Sequence, residues 1–171
     1  NIDPNAGLMA SIATYATGYL ARFAGAFYFG QLGDRIGRKK VLFYTIALMG
    51  MATTLIGALP TYNQVGLLAP ALLVVLRLCQ GFGAGAEIAG AGVMLAEYAQ
   101  PARRGVISSL VAWGTNSGTL GASLIWFILT STMSDETIVA WAWRIPFLAS
   151  FLIMGFAIWV RLSLKESPVF E

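Results

Sequence analysis

Three ionisable side chains stand inside long apolar stretches of this sequence: Arg22, Arg77 and Glu87. A charge held at the centre of a bilayer costs several kcal/mol, so such a residue is a candidate for function, and the competing reading is a structural ion pair across a helix bundle. Arginine keeps its charge permanently, which suits Arg22 and Arg77 to binding an anionic group or clamping a carboxylate. Glu87 is a candidate proton carrier, as intramembrane carboxyl groups are in pumps and transporters. At helical spacing Arg22 shares a face with Ser11, Tyr15, Gly18, Tyr19 and Gly25, and Arg77 shares one with Gln80, Ala84 and Glu87. Arg77 and Glu87 are ten residues apart. That is about 15 Å along a helix, so they cannot pair directly and each needs another partner or a wet cavity. Trp113 and Asn116 bring aromatic and polar character to a further apolar run. Asn116 reads either as interhelical glue or as a substrate contact.

The elements that must position these groups are membrane spans. The chain has 171 residues, 57% of them hydrophobic and only 11% charged, against about 25% charged in soluble domains. A spanning helix needs about 20 apolar residues, and five runs supply them: residues 8–32, 41–59, 70–97, 106–131 and 142–164. The expected fold is an all-α polytopic membrane protein. Gly81 and Gly85 form a small-xxx-small step, as do Gly114 and Gly118, extended by Gly121 and Ala122. Such faces are expected to let helix backbones approach closely. Gly81 to Gly85 superficially resembles a dinucleotide loop, but no strand precedes it and it lies inside a span.

Composition narrows the function classes. The net charge of +3 does not point to nucleic acid, because the basic residues lie between apolar runs rather than on one soluble face. The chain has no histidine and a single cysteine, Cys79, inside an apolar run. An intrachain disulfide is excluded, and no metal cluster, cofactor site or nucleophile–base pair is expected. The reading is therefore not an enzyme.

Between the first two runs, residues Asp34 to Lys40 carry five charges in seven positions. This stretch, residues 33–40, is expected to be a short wet loop. Arg35, Arg38, Lys39 and Lys40 lie in it, Arg103 and Arg104 in the loop at 98–105, and Arg161 and Lys165 close the last run. All eight fall on one side, which is then cytoplasmic, and Arg144 is the exception on the other. Five spans that start outside without a signal sequence predict one further helix upstream. Asp34, Glu97 and Glu166 line the same membrane face as the basic residues and are expected to pair with them between helices, each solvated pair contributing about 0–1 kcal/mol.

The stretch Gly30-x-x-x-Asp34-Arg35-x-Gly37-Arg38-Lys39 resembles the loop 2–3 motif of the major facilitator superfamily. Arg77-x-x-Gln80-Gly81 resembles its helix 4 motif, Glu97 with Arg103-Arg104-Gly105 its loop 4–5 pattern, and Glu166-Ser167-Pro168 its helix 6 end. Within the superfamily the chain is similar to metabolite:proton symporters, which carry shikimate, 2-oxoglutarate, citrate or proline/betaine. The residues that carry this are Gly85-Ala86-Glu87-x-x-Gly90-Ala91, Trp141-x-Trp143-Arg144-Ile145-Pro146-Phe147 and Glu166 to Phe170. Ala86, Ile88 and Phe23 depart from the usual glycine, aromatic and proline at those places, and the last departure suggests a straighter helix 2.

The resemblance implies helices 2 to 6 of a six-helix N-terminal half, with helix 1 and the C-terminal half elsewhere in a longer protein. It implies alternating access about a midplane site in a bacterial inner membrane. Gly30, Asp34, Arg35, Gly37, Arg38, Lys39, Glu97, Arg103, Arg104 and Glu166 would form a cytoplasmic latch. Tyr15, Tyr19, Arg22, Arg77, Gln80, Glu87, Trp113 and Asn116 would face a substrate and proton cavity. The expected activity is proton-coupled import of a small organic acid or zwitterion, with the bilayer and the metabolite as partners. A sugar-type porter, an exporter, a transporter-like sensor and an inactive truncated product are the alternatives.

Overall fold

The computed structural model of the chain describes residues 4–163, and among these it is helical throughout its long elements, with no strand. Helix α1 spans Pro4–Ile36, α2 Arg38–Ala58, α3 Tyr62–Val65, α4 Leu68–Ala84, α5 Glu87–Tyr98, α6 Arg104–Thr132, α7 Asp135–Thr137 and α8 Arg144–Ser163. The predicted end at Lys165 to Phe170, Glu166 included, lies outside the described residues.

The expected eight-residue loop after the first run is much shorter than that. Both flanking helices continue into it, and the non-helical residue is Gly37, with φ 96°. That backbone conformation has a positive φ, which strongly favours glycine. The turn is closed on both sides, since Gly37 N donates to Gly33 O at 3.2 Å and Val41 N donates to Gly37 O at 3.4 Å. The charges thus sit on helix ends rather than in a loop.

The third expected run is one apolar stretch in two helical pieces. Gly85 and Ala86 separate α4 from α5, and Gly85 N reaches back only three residues to Phe82 O at 3.4 Å. A tightened turn at a glycine is a recognised cause of a local break. Leu68–Tyr98 taken together, Arg38–Ala58 and Arg144–Ser163 are long and apolar enough to cross a membrane. Helices α1 and α6, of 33 and 29 residues, have the length but a more mixed composition.

At the other end of the bundle the connections are built from caps. Thr61 and Gln64 form a capping box at the start of α3, with Thr61 N donating to Gln64 Oε1 at 3.0 Å. A π turn over Ile138–Ala142 precedes α8 at that end, while Pro101–Arg103 forms a 3₁₀ turn before α6 at the same end as Gly37.

Helix α2 is the centre of the packing. Val41, Leu42, Thr45, Ile46, Ala52 and Ile56 are all buried, and α2 lies against α4 on one side and α8 on the other, while α1 packs on α4. Lipid is as apolar as leucine, so close van der Waals approach, not apolar burial, must hold helices together here. The α1–α4 contact is of that kind. A Cβ added at Gly25 would collide with the Phe82 carbonyl, one at Gly81 with the Gly18 carbonyl, and one at Gly85 with the backbone of Arg22 and Ala26. The Gly81/Gly85 step does what small-xxx-small steps are expected to do. The expectation for α6 is not met. A Cβ at Gly114, Gly118 or Gly121 would find nothing within 4 Å, and Leu129 is the buried residue of that helix among those described.

Candidate functional site

Tyr15, Gly18, Tyr19, Arg22, Met49, Arg77, Gln80, Gly81 and Ala84 line one cavity of about 180 Å³ where α1 meets α2 and α4. The close glycine contacts create it: they bring the two polar faces together while leaving room beside them. Tyr15 and Tyr19 meet edge to face with centroids 5.2 Å apart and their hydroxyl oxygens 3.3 Å apart. The Arg22 guanidinium lies 4.9 Å from the Tyr19 ring centre, and that of Arg77 lies 5.6 Å from the Tyr15 ring centre. Two permanent cations therefore rest on two aromatic faces, an arrangement that stabilises a partly desolvated cation. Among the described residues no ion pair joins either arginine to a carboxylate.

Arg77 is held by a directed chain of hydrogen bonds. Its Nη1 donates to Gln80 Oε1 at 2.8 Å, Gln80 Nε2 donates to Thr53 Oγ1 at 2.7 Å, and Thr53 Oγ1 donates to Met49 O at 2.7 Å. Each group uses its donor and acceptor in one sense, so the Gln80 amide is oriented and the guanidinium is aimed. Thr53 is absent from the sequence expectations. A threonine satisfied by its own helix gives no sign that it also receives a bond from a neighbouring one.

Glu87 lines a second, larger cavity of about 630 Å³ with Arg22, Met49, Ala84, Thr115, Gly118 and Arg161 among its walls. Arg22, Met49 and Ala84 border both cavities. The cations whose charge reaches Glu87 are Arg161 and Arg22. Arg161 counted in the sequence only towards membrane orientation. The rule that flagged Arg22 applies to it equally, because it falls inside the run 142–164.

Trp113 and Asn116 do not join either cavity. Residues 110, 111, 114, 115 and 118 turn one side of α6 toward Glu87, and at 3.6 residues per turn positions 113 and 116 fall on the opposite side. Trp113 is 74% exposed, and Asn116 Nδ2 donates to Ala112 O of its own helix at 2.8 Å.

The charged ends of the helices meet as a group. Arg38 Nε lies 3.2 Å from Glu97 Oε1 and its Nη2 lies 3.6 Å from Asp34 Oδ1, so one guanidinium joins the end of α1, the start of α2 and the end of α5. Lys39 Nζ donates to Leu162 O at the end of α8 at 3.1 Å. Gly30 and Gly33 border a small cavity beside Arg38, while Arg35, Arg103 and Arg104 are exposed. At the far end Arg144 Nη1 donates to Gly57 O at 2.9 Å and Leu59 O at 2.6 Å, capping carbonyls at the C-terminus of α2. The apparent exception to the charge asymmetry is thus a helix cap.

Residues 5–171 match the family described as Sugar (and other) transporter. The chain belongs to that family. It is 63% identical over 164 residues to a protein of Escherichia coli (strain K12) named as a transporter, YdfJ, covering 96% of this chain and 38% of that protein. It is 41% identical over 170 residues to the shikimate transporter of Escherichia coli (strain K12), covering 99% of this chain and 39% of that one. Among solved structures, the proton:xylose symporter XylE of the major facilitator superfamily bound to 6-bromo-6-deoxy-D-glucose superposes with a TM-score of 0.87 at 17% identity, over 98% of this chain and 38% of that one. The chain spans less than two-fifths of the length of these proteins.

For this transporter-family chain, the resemblance read from the loop motif and the major facilitator fold both stand. Tyr15, Tyr19, Arg22, Arg77 and Gln80 come together, Glu87 adjoins them across Arg22, and Asp34, Arg38 and Glu97 meet at one end.

Proposed function

We propose that this chain forms part of a secondary active transporter that imports a small organic acid or zwitterionic metabolite together with protons across the bacterial inner membrane. The observation that carries this reading is the Tyr15–Tyr19–Arg22–Arg77–Gln80 cavity, which presents two cations with no carboxylate paired to either among the described residues. Such a site favours an anionic group that brings its own negative charge. The similarity to a shikimate transporter points to the same class of ligand. Glu87, in the adjoining cavity, is the group that carries the proton. The end with Arg38, Glu97 and Asp34 faces the cytoplasm, as do the junctions near 33–40 and 98–105. The Arg38 cluster latches one of the two states through which the protein alternates, with the rest of a full-length polypeptide supplying the opposite wall of the path.

The test is uptake by the full-length protein in vesicles across a panel of small carboxylates and betaines, with and without a proton uncoupler. Accumulation should require the proton gradient, Arg77→Gln should lower uptake at least tenfold, and Glu87→Gln should abolish accumulation. Uptake that persists after collapse of the gradient would refute proton coupling. Uptake indifferent to Arg77→Gln would refute the assigned site.

A further inference from the structure

One further basic cluster lies apart from the Tyr15–Arg77 cavity and adjoins the Glu87 cavity only through Arg161. Lys39, Lys40 and Arg161 line a hollow of about 400 Å³ with Phe43, Tyr44 and Leu162, between the start of α2 and the end of α8. No carboxylate among the described residues lines it. The Lys39 ammonium is fixed there by its bond to Leu162 O, at the end of a helix where free carbonyls and the negative pole of the helix dipole attract a cation. Tyr44 is 51% and Leu162 62% exposed, so the rim is apolar and opens outward from the bundle.

The height of this hollow is set by the neighbouring contacts. Arg38 meets Glu97 and Lys39 meets Leu162, so the start of α2 and the ends of α5 and α8 lie at one level. Arg103 and Arg104 begin α6 just after α5. This is the basic end of α1, α2, α6 and α8, the level at which spans leave the hydrocarbon and lipid phosphates lie. Basic pockets between spans at that level attract anionic head groups, each nearby lysine or arginine contributing about 1 kcal/mol, or about fivefold in affinity.

We propose that this hollow binds the phosphodiester head group of an anionic phospholipid. Lys39, Lys40 and Arg161 meet the phosphate, while Phe43, Tyr44 and Leu162 cover the glycerol and the roots of the acyl chains. The apolar, outward-facing rim favours a lipid over a free anion, which would gain nothing from it.

The experiment is native mass spectrometry of the full-length protein in micelles supplemented with phosphatidylglycerol, phosphatidylcholine or inorganic phosphate. Phosphatidylglycerol should be retained in preference to phosphatidylcholine. Lys40→Gln, an exposed position, should lower that retention about fivefold, and Lys39→Gln with Lys40→Gln about 25-fold. Arg103→Gln with Arg104→Gln should leave it unchanged. Arg161 is not substituted because it also faces Glu87. Equal retention of the two lipids, or equal loss in the Arg103/Arg104 variant, would overturn the proposal in favour of general surface attraction. Displacement of phosphatidylglycerol by millimolar inorganic phosphate would overturn it in favour of a free-anion site.

Discussion

Gly81 and Gly85, at the end of α4 and just past it, and Gly114 and Gly118 in α6 are each four residues apart, yet the two pairs sit in opposite circumstances. At Gly81 and Gly85 another backbone occupies the place where a Cβ would go, whereas at Gly114 and Gly118 that space is open. Sequence spacing marks a surface as smooth but does not say whether a partner lies on it. The difference shows in the site as well. The α1–α4 contact aims the arginines into a defined cavity, while α6 lends one loosely covered side to the larger cavity around Glu87.

The sharpest way to break this comparison is a matched pair of substitutions. Gly85→Leu forces a side chain into the backbone of α1 and should destabilise the protein by about 3 kcal/mol, the upper end for overpacking. Gly118→Leu in this chain should stay within about 0.5 kcal/mol, as substitutions at uncrowded positions do. Equal losses in denaturant titrations would mean that α6 is covered as closely as α4. A smaller effect is expected at the rim of the packed region. Arg144→Ala removes two charged hydrogen bonds from the end of α2 and should cost about 1.5–3 kcal/mol. Arg144→Lys should recover part of this in the same titration. The smallest effect tests whether the packed side aims the cavity. Thr53→Val removes the acceptor for Gln80 and should raise KM for the transported substrate about fivefold with kcat nearly unchanged, near 1 kcal/mol. Thr53→Ser should restore it. A fall in kcat alone would assign Thr53 a different role.

Much of the fold could be read from the residues. Runs separated by charged or proline-containing junctions marked the helices, because an apolar run long enough to cross a bilayer has few alternatives. The cavity residues of α1 and α4 were legible because an arginine in an apolar run must find company. Besides Thr53, Arg161 and the open face of α6, other features escaped. The break at Gly85–Ala86 has the hydropathy of a continuous span, so composition hides it. The turn at Gly37 is tighter than its charges suggest, since charged side chains can extend from helix ends. Trp113 and Asn116 were placed by character alone, and the rotation of α6, which tertiary contacts decide, turned them away.

Helices α2 and α8 are fastened at three heights. Lys39 holds Leu162 O at one end, Thr54 Oγ1 lies 3.0 Å from Ser150 Oγ midway, and Arg144 holds Gly57 O and Leu59 O at the other. Sliding one helix along the other by a single turn, about 5.4 Å, would undo all three together. The pair therefore behaves as a plank with a fixed register. Shear between α2 and α8 is thus opposed at three points, and a shape change passes more easily through the other joints.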